Sequence, residues 1–182
     1  PRIVPRLFGG WDYASTICGD QDLPARGYDG GVPMGGTLAP QPGTEGPQFV
    51  VSAKQDPMGE PLQRIQMVKG WLDGDDYQVR VYDVAGDPNN GAGVDLDTCL
   101  PSGSGERDLC KLWRDPDFDP SVSAYYYARV LENPTCRWST LQCSQSDYDC
   151  DDWDYDACRD LTAMGQSSYL CDCCDPASGL NV

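Results

Sequence analysis

Hydrophobic and polar residues alternate over several stretches of the first 133 residues, which is the pattern of half-buried β-strands. The longest such stretch runs from Leu62 to Leu72, and one of its two phases carries Ile65, Met67 and Trp71. A period of two therefore fits this stretch better than the helical period of 3.6. The pattern predicts strands over residues 3–8, 48–54, 62–72, 77–84 and 125–131.

The segments between these stretches are rich in turn residues. Asp73 to Asp76 separates two alternating stretches and contains an Asp-Gly pair, which predicts a β-hairpin. Residues 18–48 and 86–107 carry many glycines and prolines, and we expect long irregular loops there that are functional or held by cross-links. The sequence has no sustained helical stripe, and we expect short helices only near residues 108–113 and 155–164.

These patterns predict a mainly β protein. We expect an antiparallel, β-sandwich-like domain with long loops over residues 1–133. An irregular, acidic, disulfide-rich extension over residues 134–182 is expected to pack on that domain. The 20 glycines and 15 prolines account for the loops, whereas a hydrophobic content of 40% supports a folded core.

Cysteine usage indicates an oxidising compartment, extracellular or periplasmic, because ten cysteines occur in 182 residues. A thiolate metal site is disfavoured, since Cys171, Cys173 and Cys174 are too close together to supply several ligands to one ion. We predict one local disulfide, between Cys99 and Cys110, and expect Cys173 and Cys174 to bond different partners. The sequence leaves the pairing of the other cysteines open. The cysteines expected in disulfides are Cys18, Cys99, Cys110, Cys136, Cys143, Cys150, Cys158, Cys171, Cys173 and Cys174.

The charge and the residue types limit the function. A net charge of −16 disfavours binding to nucleic acid and to anionic membrane surfaces, and it favours cations and basic protein surfaces. No apolar run reaches the length of a membrane span. The chain has no histidine and no Gly-x-Ser-x-Gly string, so the sequence assigns no catalytic residue and no certain cofactor. The opening at Pro1 leads us to expect a piece of a longer precursor.

An acidic segment near the C-terminus is the one candidate cation site. It holds six aspartates in ten residues, and closely spaced carboxylates either gain protons or bind a hard cation such as Ca²⁺. The alternative is a solvated acidic loop that Cys143, Cys150 and Cys158 hold in place. Residues 83–97 and 115–119 repeat the pattern more weakly and are interpreted as turns. The candidate calcium ligands are Asp147, Asp149, Asp151, Asp152, Asp154 and Asp156.

Several short strings occur in order along nearly the whole chain. They are Phe8-Gly-Gly-Trp-Asp-Tyr13, Gly31-Val-Pro-Met-Gly-Gly36, Pro61-Leu-Gln-Arg-Ile-Gln66, Lys69-Gly-Trp71, Asp115-Pro-Asp-Phe-Asp-Pro120, Tyr126-Tyr-Ala-Arg-Val-Leu-Glu-Asn-Pro134 and Arg137-Trp-Ser-Thr140. Together they resemble the C-terminal part of a large bacterial family of uncharacterised exported proteins. In that family the preceding domain is similar to the PHP (polymerase and histidinol phosphatase) metal-dependent phosphoesterases.

The resemblance implies that any metal site is built from histidines upstream of this region, so no catalytic residue is carried over to this chain. We therefore interpret the chain as a non-catalytic secreted scaffold or interaction domain, whose partner is another protein or the remainder of its own precursor. Two alternatives stay open. The chain is part of a phosphoesterase whose catalytic residues lie upstream, or it is a calcium-dependent structural component of an extracellular assembly, as an oligomer or within a larger complex.

Overall fold

The computed structural model describes residues 2–41, 45–145 and 173, which fall into two compact units. The first unit comprises Pro1–Asn90 and Ser104–Asn133, and the second comprises Gly91–Gly103 and Pro134–Val182. In chain order the strands are β1 (Val4–Gly10), β2 (Gly31–Pro33), β3 (Gln48–Lys54), β4 (Leu62–Asp73), β5 (Asp76–Gly86), β6 (Gly93–Val94), β7 (Pro101–Ser102), β8 (Asp108–Arg114) and β9 (Ala124–Glu132), and the helices are α1 (Leu23–Gly30), α2 (Trp138–Gln145) and a 3₁₀ helix (Ile17–Gly19).

The first unit contains two antiparallel sheets. Sheet A has the strand order β2-β1-β3-β8, and sheet B has the order β5-β4-β9. The turn between β4 and β5 contains Gly74 at a positive φ of 62°, a conformation that glycine adopts without steric cost. A register shift between Ile65 and Gln66 marks an irregularity in the pairing of β4 with β5. The mainly β, antiparallel architecture confirms the predicted fold class.

The two sheets share one hydrophobic core. Side chains of the inward phase of β4, including Ile65 and Met67, are fully buried against Phe49 and Val51 of β3 and Leu7 of β1. Because successive side chains of a strand point to opposite faces, this phase is the one that the alternation identifies. The strand predicted over residues 62–72 is therefore confirmed, and Ile65 and Met67 of one phase lie in the core.

The outer face of sheet A is covered by helical structure. Phe8 and Val50 turn away from the shared core and pack with Tyr13 and Ile17, the latter in the 3₁₀ helix, to form a second buried cluster. Helix α1 approaches closely because Gly27 lies on Phe8, and a Cβ there would be 2.4 Å from the Phe8 ring. The prediction of an irregular loop over residues 18–48 was thus wrong at α1, which begins at Leu23.

The second unit contains a short hairpin and one helix within its described residues. Strands β6 and β7 pair antiparallel, and a disulfide joins Cys99, between them, to Cys136. A second disulfide joins Cys143 of helix α2 to Cys173. Cys173 therefore does not bond its neighbour Cys174, in agreement with the prediction.

Two predictions about residues 99–113 were wrong. Cys110 does not bond Cys99, because it bonds Cys18, which lies in the 3₁₀ helix. The physical reason is that Cys110 lies in β8, in the first unit, whereas Cys99 lies in the second unit. The predicted helix near residues 108–113 is strand β8, which pairs with β3 along its whole length.

Candidate interaction surface

The outer face of sheet B carries apolar side chains that no described residue covers. Val68 lies between Val81 of β5 and Tyr127 of β9, and Gly70 lies between Val79 and Tyr125. Large apolar side chains on this face keep between 41% and 60% of their surface exposed. We call the set the apolar face, and its members are Leu72, Tyr77, Val79, Val81, Tyr125 and Tyr127.

Three tyrosines form a row across the apolar face. The ring centroids of Tyr77 and Tyr125 are 6.4 Å apart with an angle of 11° between the rings, and those of Tyr125 and Tyr127 are 6.3 Å apart with an angle of 7°. The hydroxyl groups of Tyr77 and Tyr125 are hydrogen-bonded. Gly70 makes room for the row, because a Cβ there would be 2.3 Å from Cζ of Tyr125.

The two ends of the apolar face differ in polarity. At one end, Arg129 donates to Oε1 of Gln66, and the amide of Gln66 donates to Asp83, so the polar groups are paired. At the other end, the turn between β4 and β5 carries three exposed aspartates. Among the described residues none of them forms an ion pair, and we call them the acidic tip, which consists of Asp73, Asp75 and Asp76.

A cavity of about 660 Å³ lies beside the start of β9, within the size range of ligand-binding cavities. Its walls come from the two sheets and from the segments that follow β2 and precede β9. They are mainly apolar, and the residues that line them include Leu7, Val32, Pro33, Thr37, Phe118 and Tyr126.

A buried ion pair fixes the loop that forms one wall of this cavity. Nζ of Lys69 donates to Oδ2 of Asp115 at 2.6 Å and to the backbone oxygen of Asp117 at 2.7 Å. The hydroxyl of Tyr126 donates to the same carboxylate oxygen at 2.7 Å. The side chains of Lys69 and Asp115 are 7% and 0% exposed, so the pair is shielded from water. Buried charges persist only when they are paired in this way.

A second carboxylate in the same loop is held from the side of β5. Asp117 accepts a hydrogen bond from the hydroxyl of Tyr82 and pairs with Arg80, both at 2.7 Å. The hydrogen bonds from Tyr82 and Arg80 lower the pKa of Asp117. Burial, together with the hydrogen bond to Asp117, raises the pKa of Tyr82 to about 12. Lys69 and Arg80 are therefore each paired with a carboxylate of the loop.

The structure separates the predicted site residues into those it describes and those it does not. The six aspartates of the candidate calcium site, Asp147 to Asp156, lie outside the described residues, as do Cys150, Cys158, Cys171 and Cys174. The other six cysteines form three disulfides. In the described part of the chain, no group of three or more cysteine or acidic side chains could hold a metal ion. Asp115 and Asp117 contact cationic side chains instead.

Neither the apolar face nor the buried ion pair was predicted from the sequence. The tyrosine row depends on the register of three strands, and no local pattern reveals that register. Lys69 did give a signal, because it occupies the inward phase of β4 between Met67 and Trp71. A lysine in a core phase predicts a buried acidic partner.

The fold and the surface together define a disulfide-linked, two-sheet β domain with one sheet covered by helices and the other bearing an exposed apolar face. A family model described as a protein of unknown function (DUF3604) matches residues 1–160, and the chain belongs to this uncharacterised family. Searches of curated proteins and of solved structures found no match. Among the described residues, no helix is both long and apolar enough to cross a membrane.

Proposed function

We propose that this chain is a non-catalytic interaction domain of an exported protein and that it docks a basic protein surface on the apolar face. The observation that carries the proposal is the difference between the two sheets. Helical structure covers sheet A, whereas sheet B exposes six large apolar side chains on adjacent strands. Soluble proteins rarely expose contiguous apolar patches unless these bind a partner.

The charges around the apolar face favour a basic partner. The acidic tip lies next to Leu72 and Tyr77, and its carboxylates form no ion pair with described residues. The chain carries a net charge of −16, so a second copy of the chain would bring like charges together. A partner with apolar side chains surrounded by lysine or arginine satisfies both features.

Two further observations support a non-catalytic, exported domain. Lys69 and Arg80 are each paired with a carboxylate of the loop at residues 115–120, which supports a structural role for these cations. Three disulfides are typical of proteins that fold in oxidising compartments.

The family resemblance supports a parent protein in which phosphoester chemistry belongs to an upstream PHP-like domain. We therefore expect no hydrolysis of p-nitrophenyl phosphate by the chain alone, with Mn²⁺ or Zn²⁺ added. Activity is expected only when the histidine-bearing part is present. Hydrolysis by the chain alone would refute the non-catalytic assignment.

Site-specific photo-crosslinking in cells that produce the protein tests the docking surface. The photoreactive amino acid p-benzoylphenylalanine replaces Tyr127 in the apolar face, and the matched control replaces Tyr28, an exposed tyrosine of helix α1. We expect a discrete adduct with one basic protein from position 127 and none from position 28. Equal adducts from both positions, a glycan adduct or no adduct would contradict the proposal.

A further inference from the structure

Strand β9 presents a long edge that no described strand pairs with. It is the last strand of sheet B, and among the described residues it pairs with β4 alone. Its nine residues present backbone donors and acceptors along roughly 30 Å, enough for a further strand. Unpaired strand edges of this length readily bind an extended chain.

The other long edge strands carry features that oppose strand addition, and β9 carries few. Strand β5 has an irregular register against β4, and it carries the charged residues Asp76, Arg80 and Asp83. Strand β8 also carries charged residues, and its Cys110 forms the disulfide to Cys18. Strand β9 has two charged residues, Arg129 and Glu132, and no proline, and its register against β4 is regular from Ala124 to Leu131 and shifts only at Glu132. Charges, irregularities and prolines are the usual protection of an edge.

The cavity lies where another strand of sheet B would put its inward side chains. Sheet A has four strands and sheet B has three. Strand β1 of sheet A contacts β9, and β2 is the next strand beyond β1, at the edge of sheet A. The cavity is lined by Leu7 of β1, by Val32 and Pro33 of β2 and by Tyr126 of β9. An apolar side chain entering from the edge of β9 would fill apolar space between the two sheets.

The charge at the start of β9 defines the chemistry of the added strand. Ala124 pairs with Trp71, so this end of β9 is the end that adjoins the acidic tip. Asp119, which precedes β9, forms no ion pair within the described residues, whereas Lys69 and Arg80 are already paired. The uncompensated charge at this end is therefore negative, and it complements lysine or arginine.

We propose that an extended segment of the docked partner adds a strand to the free edge of β9. Apolar residues at alternate positions of the segment enter the cavity, and basic residues meet the acidic tip. This inference rests on the proposed function, because the segment belongs to the protein that docks on sheet B. Recognition by strand addition combines backbone hydrogen bonds with pockets for alternate side chains.

A labelled model peptide tests the edge and the cavity directly. The probe is a fluorescein-labelled decapeptide in which valine and threonine alternate and two lysines lie at one end. Its controls are the same peptide N-methylated at alternate residues and a version with two glutamates in place of the lysines. We expect saturable binding by fluorescence anisotropy for the parent peptide, with at least tenfold weaker binding for both controls. Equal affinity of the N-methylated peptide, or no binding of the parent, would overturn the inference.

Protein variants then locate the bound peptide. Thr37→Trp fills the cavity from its rim and is expected to weaken binding at least tenfold, whereas Tyr28→Trp on helix α1 is its control. Asp75→Lys with Asp76→Lys is expected to weaken binding about threefold to tenfold, as rim charges do. The control for that charge reversal is Glu60→Lys with Glu106→Lys, near the opposite end of β4, where Glu106 bridges to Leu62.

Hydrogen exchange separates failure of this inference from failure of the proposed function. In the free chain, alternate amides of β9 should exchange faster than those of β4 and become protected when the peptide binds. Protection of β9 equal to that of β4 in the free chain would show an occupied edge and overturn the inference. If Thr37→Trp leaves the affinity of the partner crosslinked at Tyr127 unchanged, the strand addition is refuted and the docking surface remains.

Discussion

Replacing Lys69 by methionine removes the cation of the buried ion pair and keeps most of the side-chain volume. The carboxylate of Asp115 is fully buried and would retain only the hydroxyl of Tyr126 and the backbone N–H of Asp117 as donors. Removing one partner of a buried pair costs about 3–5 kcal/mol, because the other charge stays without compensation. The variant should therefore lose a large part of a typical stability of roughly 5–15 kcal/mol.

A double substitution separates the charge effect from the loss of packing. In Asp115→Asn the amide oxygen can take the Oδ1 position and accept from the N–H of Asp117, while the amide nitrogen at the Oδ2 position can donate to the hydroxyl of Tyr126. Lys69→Met with Asp115→Asn therefore leaves no buried charge. We expect this double variant to lose less stability than the sum of the two single variants, with a coupling of about 1–3 kcal/mol. Guanidinium unfolding followed by tryptophan fluorescence measures all four proteins, since Trp71 lies 5.3 Å from the Lys69 ammonium.

The outcome also bears on the cavity, because Phe118 and the rest of the loop at residues 115–120 form one of its walls. A loss below about 1 kcal/mol for Lys69→Met, or strictly additive effects in the double variant, would refute the reasoning. Either result would mean that water reaches the pair and that Lys69 does not hold the loop.

Three further predictions follow from other contacts. Replacing Cys18 and Cys110 by alanine removes a cross-link between residues 92 positions apart, and in the chain-entropy model it should lower the free energy of unfolding by about 4–5 kcal/mol. Guanidinium unfolding measures this loss, and a loss below about 1 kcal/mol would contradict the prediction. Gly70→Ala should displace the ring of Tyr125 and weaken partner binding about tenfold, and an unchanged Kd would exclude a role for the tyrosine row. Because the pKa of Tyr82 is raised to about 12 from an ordinary value of 10.0, its contribution to stability is present below pH 10 and is lost between pH 10 and 12. The difference in tyrosinate absorbance between the wild type and Tyr82→Phe reports the ionisation of Tyr82, and a midpoint of that difference at pH 10 would contradict the prediction.

The strands could be predicted because the burial of one sheet face imposes an alternating pattern on the sequence. Residues 48–54 are a strand with the predicted limits, and residues 62–73 form the strand predicted over residues 62–72. Helix α1 could not be predicted in the same way, because its eight residues include a proline and two glycines. Its stability comes from packing of Gly27 on Phe8, a tertiary contact that propensity does not reveal.

The candidate site was harder to predict than the fold because it depends on long-range register. Tyr77 and Tyr125 are 48 positions apart and meet only because β5 and β9 pair with the same central strand. The predicted partner of Cys110 was wrong for a related reason. Nearness in sequence does not decide which face of a strand a cysteine occupies, and therefore which cysteine it can reach. The calcium hypothesis for Asp147 to Asp156 stays a prediction.

The central claim is that the apolar face of sheet B is the docking surface for a protein partner. Titrating the purified partner identified by crosslinking against the chain and its variants tests this claim most directly. Val79→Ser with Tyr127→Ser removes apolar side chains that are already half-exposed, so it should leave the chain folded and raise the Kd at least tenfold. Tyr28→Ser should leave the Kd unchanged. A Kd that is the same for the wild type and the double variant would contradict the account.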